Sequence, residues 1–325
     1  MPDNFGVENG KTSEYLILAG TNKSGTTAVF RYLGDHPSVS VSRQKESAFF
    51  YKIDDFLGME ADELKKLYSS QFLNGGSDDQ LYVEATPTYL HGGQKIASRV
   101  RKVVPNARLL FMLRNPTDRV VSYFRSAWGQ PHVATYGLDS DQFVDEAIRA
   151  SGDGNSDKLE LSERQMAFRQ ELLVCKYAEF LPFFLQEFGA DRIHVAFFDE
   201  LVSSPDNLMD DICAFARIDP EYYSDYEFRV ENRTRLHRNS NIRAIAASLN
   251  SGLEPFLNRY PAIRRGVRQM YDFVNVDEKK TIPFSAEAVR RLDKYFRPWN
   301  DRLYKLLIDS YPDKQLPRWL LPQAT

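Results

Sequence analysis

Short apolar runs alternate with longer amphipathic segments along most of this chain. Apolar runs of strand length stand at 15–19, 81–83, 108–113 and 193–198, and apolar and polar residues alternate as in a strand at 39–42. Segments with helical spacing of apolar residues stand at 28–33, 56–72, 94–104, 117–127, 163–188, 205–215 and 286–307, with a further candidate at 242–250. Strands that alternate with helices form parallel sheets covered by helices on both faces. The pattern therefore predicts an α/β fold around a central parallel sheet.

The length and the interruptions of this pattern predict one domain. A chain of 325 residues can bury a large core, and we expect a single domain over 15–310 with an extension at 1–14 and a tail at 311–325. A stretch rich in Gly, Ser and Asp at about 129–160 predicts a surface excursion with one short helix. A second irregular loop is expected at about 222–241.

Composition narrows the classes of function. The formal net charge of -3 disfavours a general nucleic-acid binder. No apolar run approaches the roughly 20 residues of a membrane span, and the first residues lack the pattern of a signal peptide. The two cysteines, Cys175 and Cys213, lie in apolar helical patterns and are expected to be buried thiols. We therefore expect a cytoplasmic protein without a disulfide framework.

The most informative segment runs from Gly20 to Thr27, directly after the first apolar run. A turn between a strand and a helix presents backbone N–H groups and the positive end of the helix dipole to an anion. Lys23 adds a positive charge to this turn. Three residues add hydroxyl donors: Ser24, Thr26 and Thr27. The segment predicts a phosphate-binding loop, and the alternative is a tight turn with incidental hydroxyls.

The position of the lysine separates this loop from that of nucleoside-triphosphate enzymes. In the loop G-x-x-x-x-G-K-[ST], the lysine follows the second glycine. Gly20 and Gly25 have this spacing here, but Thr26 stands at the lysine position and Lys23 lies inside the loop. The displaced lysine counts against a P-loop nucleotide kinase or NTPase, which is an alternative of a different class. A non-catalytic nucleotide-binding module is another alternative.

A second candidate anion site follows the apolar run 108–113. Arg114 stands at the end of this strand, and Ser122 lies on the helix that Pro116 begins. An arginine fork and a hydroxyl can bind a second phosphate, although Arg114 could instead form a salt bridge that caps the strand. Ligands of parallel α/β folds bind beyond the carboxyl ends of the strands. We expect both segments, the end of 39–42 and Glu84–Thr88 to meet in one crevice there.

Together the two motifs resemble those of the PAPS-dependent sulfotransferases. Lys23–Thr27 is similar to their 5′-phosphosulfate loop, and Leu113–Pro116 with Ser122 is similar to their 3′-phosphate motif. The resemblance covers about 15–307 and implies a P-loop-like fold. It also implies 3′-phosphoadenosine-5′-phosphosulfate (PAPS) as sulfuryl donor, giving the bisphosphate PAP.

The heparan-sulfate and bacterial branch of that family is the most similar. Gln44–Phe50 resembles its Lys-Glu motif with paired aromatics, which implies that Glu46 is the general base. Glu84–Tyr89 resembles a motif on the acceptor side. There the family often has a lysine where this chain has Ala85, so we expect one acceptor contact to be lacking. Glu84 is the reserve base, and Thr86 is a second acceptor-side candidate.

The remaining roles follow from sulfuryl transfer. Lys23 would neutralise the leaving phosphate, and Lys45 would share this task or tune Glu46. In the late loop, Arg235 and Arg238 stand where glycosaminoglycan enzymes cover the cofactor, but without the cysteine pair of those enzymes. His132 is an acceptor-side candidate. No histidine has metal-ligand spacing with another, so no metal is predicted.

The acceptor is inferred from family likeness alone. A hydroxyl of a carbohydrate or glycoconjugate is the first prediction, with an amine as a less favoured target. A lipid, polyketide or peptide natural product is the alternative.

Overall fold

The computed structural model describes residues 14–53, 56, 58–72, 80–128, 138–152, 161–229, 236–237, 276–277 and 282–322. The chain divides into two compact units. The first unit comprises Met1–Asn115, Lys176–Glu231 and Pro298–Thr325, and the second comprises Pro116–Cys175 and Asn232–Arg297.

A five-stranded sheet forms the centre of the first unit. Its strands are β1 (Glu14–Gly20), β2 (Val39–Val41), β3 (Leu81–Ala85), β4 (Arg108–Leu113) and β5 (Ile193–Phe197). The spatial order is β2-β3-β1-β4-β5, and every pair is parallel. The carboxyl ends of all five strands therefore lie at one edge. This arrangement confirms the predicted α/β fold.

Helices cover both faces of this sheet. In the first unit they are α1 (Thr26–Asp35), α2 (Phe49–Lys52), α3 (Ala61–Ser69), α4 (Gly93–Val103), α8 (Tyr177–Phe188), α9 (Phe198–Ser203) and α10 (Pro205–Ala216). Successive β1 side chains point to opposite faces. Leu16 and Leu18 pack in the core with α1 and α10, whereas Ile17 and Ala19 pack in the core with α4 and α8.

The second unit is mainly helical where it is described. It contains α5 (Pro116–Trp128), α6 (Ser140–Ala150) and α7 (Glu163–Leu173), together with a short antiparallel pair, β6 (Leu236–His237) and β7 (Val276–Asp277). Asp139 and Ser162 cap α6 and α7 through capping boxes. The long helix α11 (Ala286–Ser310) belongs to the second unit up to Arg297 and to the first unit from Pro298.

Two helix predictions were wrong in their extent. The predicted helix 163–188 is two helices, α7 and α8, with a break at 174–176. Buried apolar side chains continue through the break, at Leu172, Val174 and Tyr177, so the apolar pattern does not mark it. The predicted helix 56–72 is the shorter α3. The candidate helix 242–250 lies outside the described residues.

Smaller features complete the described chain. Short 3-10 helices occur at Pro87–Gly92, Ala190–Arg192, Pro220–Tyr223 and Arg318–Leu320. The expected short helix in the 129–160 excursion is α6. Cys175 and Cys213 are buried thiols, as expected. None of the described helices is long and apolar enough to cross a membrane.

Candidate active site

The segment predicted to bind phosphate connects β1, the central strand, to α1. Lys23 and Gly25 adopt left-handed backbone conformations, with φ of 69° and 83°. The Thr21 N–H donates to the Met112 carbonyl at 2.7 Å, which ties the start of the loop to β4. A Cβ at Gly25 would lie 2.3 Å from Cδ2 of Leu201, so only glycine fits this position without a shift. The loop is therefore a tight turn held by specific backbone contacts, and it ends at the N-terminus of α1.

The buried hydroxyl of Ser24 bears on whether the loop can bind an anionic ligand. Ser24 and Thr26 are buried, and Thr27 is half-buried. Within the described part of the chain, Ser24 Oγ has no hydrogen-bond partner. A buried donor without an acceptor is costly, and a phosphate or sulfate oxygen would satisfy it. The loop therefore suits a phosphate or sulfate group.

Arg114 lies at the end of β4 and contacts the loop. Its Nη1 donates to the Lys23 carbonyl at 3.0 Å, and its guanidinium stacks on the Phe198 ring with 4.2 Å to the centroid. The Arg114 carbonyl accepts a hydrogen bond from Tyr177 Oη at 3.0 Å. Sequence reasoning placed Arg114 on a 3′-phosphate and offered a capping salt bridge as the alternative. The structure adds a further contact, a brace on the loop backbone.

Lys45 and Glu46 lie beside the end of β3. The Glu46 N–H donates to the Ala85 carbonyl at 2.8 Å, and Glu46 has a left-handed φ of 62°. Lys45 Nζ donates to Glu46 Oε1 at 2.7 Å. The Glu46 side chain is 56% exposed and that of Lys45 is 21% exposed. The carboxylate of Glu46 is thus accessible to a substrate while its backbone is attached to the sheet.

Glu84, the reserve base, has very different surroundings. It is fully buried and accepts four hydrogen bonds from hydroxyl groups. Oε1 accepts from Thr86 at 2.5 Å, Ser47 at 2.9 Å and Tyr89 at 3.1 Å, and Oε2 accepts from Tyr68 at 3.3 Å. Burial raises the pKa of the Glu84 carboxyl, and the hydroxyl hydrogen bonds oppose this rise. These surroundings suit a positioning role better than proton transfer to a bound acceptor.

Sequence reasoning missed several residues near the strand ends. The hydroxyls of Ser47, Tyr68 and Tyr89 were not assigned to the Glu84 site. His91 also contacts the loop segment, with Nε2 at 3.3 Å from Thr21 Oγ1. No local sequence pattern links Tyr68 to Glu84 or His91 to Thr21, because each pair meets only in the folded protein.

The structure brings part of the predicted set together. The loop, Arg114 and the Lys45–Glu46 segment all lie at the carboxyl edge of the sheet, attached to the ends of β1, β4 and β3. Ser122 is half-buried on α5 in the second unit, and its role stays a prediction. Three predicted residues lie outside the described residues: His132, Arg235 and Arg238. In the described ranges, no group of His, Cys, Asp or Glu side chains could hold a metal ion.

Comparison with known proteins gives a consistent picture. A family model described as "Sulfotransferase family" matches residues 50–222, more than half of the chain. The loop at 20–27 and Glu46 precede that match.

Two curated relatives are similar over long stretches. The bifunctional heparan sulfate N-deacetylase/N-sulfotransferase 1 of Caenorhabditis briggsae is 25% identical over 224 residues, which cover 68% of this chain and 24% of that protein. The bifunctional enzyme of Drosophila melanogaster is 23% identical over 320 residues, covering 94% of this chain and 27% of that protein. The chain thus spans about a quarter of the length of these relatives.

A solved structure shares the fold. The sulfotransferase from Alicyclobacillus acidocaldarius superposes with a TM-score of 0.57 at 20% identity, covering 95% of this chain and 99% of that one.

Proposed function

Because this chain belongs to the sulfotransferase family, we propose that it transfers a sulfuryl group from PAPS to a hydroxyl group of an acceptor. The observation that carries the proposal is the loop after β1. It combines a lysine, a helix N-terminus and the buried Ser24 hydroxyl, which has no protein partner among the described residues. Such a loop supplies donors to an anion from several directions.

The loop would stabilise the leaving phosphate. PAPS supplies an activated sulfuryl group and a phosphate leaving group. Negative charge grows on that phosphate as the S–O bond breaks, so the Lys23 ammonium and the fixed donors of the loop contribute most in the transition state. Arg114 would support this arrangement in two ways: it braces the Lys23 carbonyl with a hydrogen bond, and its guanidinium would bind the 3′-phosphate.

Glu46 would accept the proton of the acceptor. As the acceptor oxygen forms its bond to sulfur, the O–H proton moves to the Glu46 carboxylate, and the electron pair of the broken S–O bond leaves with the phosphate. The exposed carboxylate can approach a bound acceptor, and the hydrogen bond from Lys45 orients it. Since Lys45 is on the same segment, it can also share the charge of the reacting groups.

A carbohydrate is the proposed acceptor. Support comes from the relatives, which are named as heparan sulfate N-sulfotransferases. That name concerns an amine, so an amino sugar is the second acceptor to test. A lipid, polyketide or peptide natural product remains the alternative.

The test is an acceptor screen with radiolabelled PAPS and the full chain. Glycans with hydroxyl groups only, glycans with unsubstituted glucosamine, and lipid and peptide acceptors form separate arms. Label transfer to the first arm supports the proposal, and transfer confined to lipid or peptide acceptors contradicts the carbohydrate assignment. In parallel, PAP should raise the Tm far more than ATP with Mg²⁺. The reverse order would favour a kinase or NTPase.

Glu46→Gln tests the base. Turnover should fall by roughly 10²–10⁴-fold, the usual worth of a general base, while the Kd of PAP changes little. Glu63→Gln, an exposed acid on α3, is the matched control and should leave turnover unchanged. Normal turnover in Glu46→Gln would exclude this residue as the base.

A further inference from the structure

The segment that carries Glu46 has an unusual backbone. Glu46 and Ala48 both adopt left-handed conformations, with φ of 62° and 54°. Residues with a Cβ rarely occupy this region, because the side chain crowds the backbone there. Two such residues within three positions persist only where surrounding contacts hold them.

The contacts that hold this segment come from three consecutive residues at the end of β3. The Glu46 N–H donates to the Ala85 carbonyl at 2.8 Å, Ser47 Oγ donates to Glu84 at 2.9 Å, and the Ala48 N–H donates to Thr86 Oγ1 at 3.2 Å. Each residue of the strained segment is therefore attached to the strand end.

The Glu84 carboxylate organises these contacts. Thr86 Oγ1 donates its proton to the Glu84 carboxylate. The lone pairs of Thr86 Oγ1 can therefore accept the hydrogen bond from the Ala48 N–H. Tyr89 and Tyr68 donate to the same carboxylate, and both rings are fully buried. Tyr89 Oη also accepts from the Phe50 N–H at 3.3 Å, where α2 begins. With four hydroxyl donors and no exposed surface, this carboxylate is enclosed by protein groups.

We propose that Glu84, Ser47 and Thr86 form a positioning cluster that fixes the backbone of Glu46 and so aims its carboxylate at the acceptor. The proposal rests on the proposed function, in which Glu46 is the base. The cluster acts through Glu46 and does not contact the substrate. It therefore reassigns Glu84, the reserve base, and Thr86, the acceptor-side candidate, to supports of the base.

The test begins with Thr86→Val, which keeps the shape of the side chain but removes the hydroxyl. Its kcat should fall by up to about 10²-fold, the effect of displacing a reacting group by about 1 Å, while the Kd of PAP stays within about 2-fold of wild type. Thr86→Ser should restore most of the turnover, because it returns the hydroxyl. Ser47→Ala is the second variant, and it answers the question if Thr86→Val does not fold.

A matched control separates positioning from general loss of packing. Ser69→Ala also removes a serine hydroxyl, which lies 2.9 Å from Tyr15 Oη and donates to the Lys65 carbonyl at 2.8 Å, but Ser69 is not a hydrogen-bond partner of Glu84. Its turnover should equal that of wild type. Equal losses of turnover in Ser69→Ala and Ser47→Ala would overturn the proposal.

A double-mutant cycle with Glu46→Gln decides whether the cluster acts through the base. If it does, Thr86→Val or Ser47→Ala should reduce kcat in the wild-type background but not in the Glu46→Gln background. Equal fold-losses in both backgrounds would overturn the positioning role while the base assignment stands. Full activity of Glu46→Gln alone would instead overturn the base assignment and, with it, this inference.

Discussion

Replacing Gly25 by alanine is the sharpest structural test of the phosphate loop. Gly25 stands just before the first residue of α1 with φ of 83°, and α9 packs against its Cα. An alanine Cβ would lie 2.3 Å from Leu201 Cδ2 and 3.2 Å from Phe198 Cδ2. The substitution therefore imposes both a backbone strain and a steric overlap.

The change in the free energy of unfolding follows from these two costs and from one opposing gain. The left-handed conformation costs a residue with a Cβ about 1–2 kcal/mol. Moving Leu201 by roughly 1 Å, to reach ordinary contact, costs a further 1–3 kcal/mol by analogy with overpacked cores. Alanine restricts the unfolded chain and returns about 0.4–1 kcal/mol. The free energy of unfolding should thus fall by roughly 1–5 kcal/mol.

Urea unfolding and PAP titration measure the consequence. Because the strained backbone at residue 25 belongs to the loop, the affinity for PAP should also fall, by at least about 10-fold. Gly25→Ala combined with Leu201→Ala should be less destabilised than the sum of the two single variants, since the double variant removes the overlapping methyl group.

Gly34→Ala is the control on the same helix. Gly34 lies within α1, and a Cβ there would meet the side chain of Val41, with Cγ1 at 3.1 Å and Cγ2 at 3.9 Å. Alanine also has the higher helix propensity by about 1 kcal/mol, so this variant should stay within about 1 kcal/mol of wild type. If Gly25→Ala unfolds like Gly34→Ala and binds PAP normally, the reasoning from the loop geometry fails.

Other predictions concern the charges around the sheet. Lys23→Ala should lower kcat by at least about 10²-fold with the unfolding free energy nearly unchanged, because its charge acts in the transition state; a folded variant with normal turnover would contradict this role. Arg114→Ala should weaken PAP binding more than the binding of an analogue without the 3′-phosphate, measured by calorimetry, whereas equal losses would leave only the loop brace. Burial, reinforced by the charge of Lys314, lowers the pKa of His194 from 6.5 to about 4. The unfolded chain therefore binds a proton that the folded protein excludes, and stability should fall as the pH drops from about 6.5 towards 4, by up to about 3 kcal/mol. Urea unfolding of His194→Gln should lack this part of the slope, and an unchanged slope would refute the assignment.

The sheet was predictable because of the way parallel strands are buried. Strands covered on both faces need continuous apolar runs, and 108–113 and 193–198 are such runs. The same signal misled at 163–188, where buried residues continue through the break between α7 and α8. Apolar spacing reports burial, but it does not report where the chain changes direction.

The loop between β1 and α1 was predictable for a local reason, and the tertiary contacts of Glu84 and Lys23 were not. The glycines, the lysine and the hydroxyl residues of the loop all lie within the short segment Gly20–Thr27, so the sequence alone reveals the motif. By contrast, Glu84 accepts a hydrogen bond from the hydroxyl of Tyr68. The Lys23 carbonyl accepts one from the guanidinium of Arg114, 91 residues away. Such partners are set by tertiary contacts, and no periodicity of a single segment reveals them.

The packing of α9 on the loop has a consequence for synthesis on the ribosome. Phe198 stacks on Arg114, and Leu201 lies against Gly25, although Leu201 follows Gly25 by 176 residues. A nascent chain in which β1 to β4 have left the exit tunnel already contains every residue of the loop, but it lacks the packing of α9 against the loop. We expect the growing polypeptide to gain nucleotide affinity only after residue 203 has left the exit tunnel. Stalled chains that end before and after β5 and α9 would show this as a step in PAP binding.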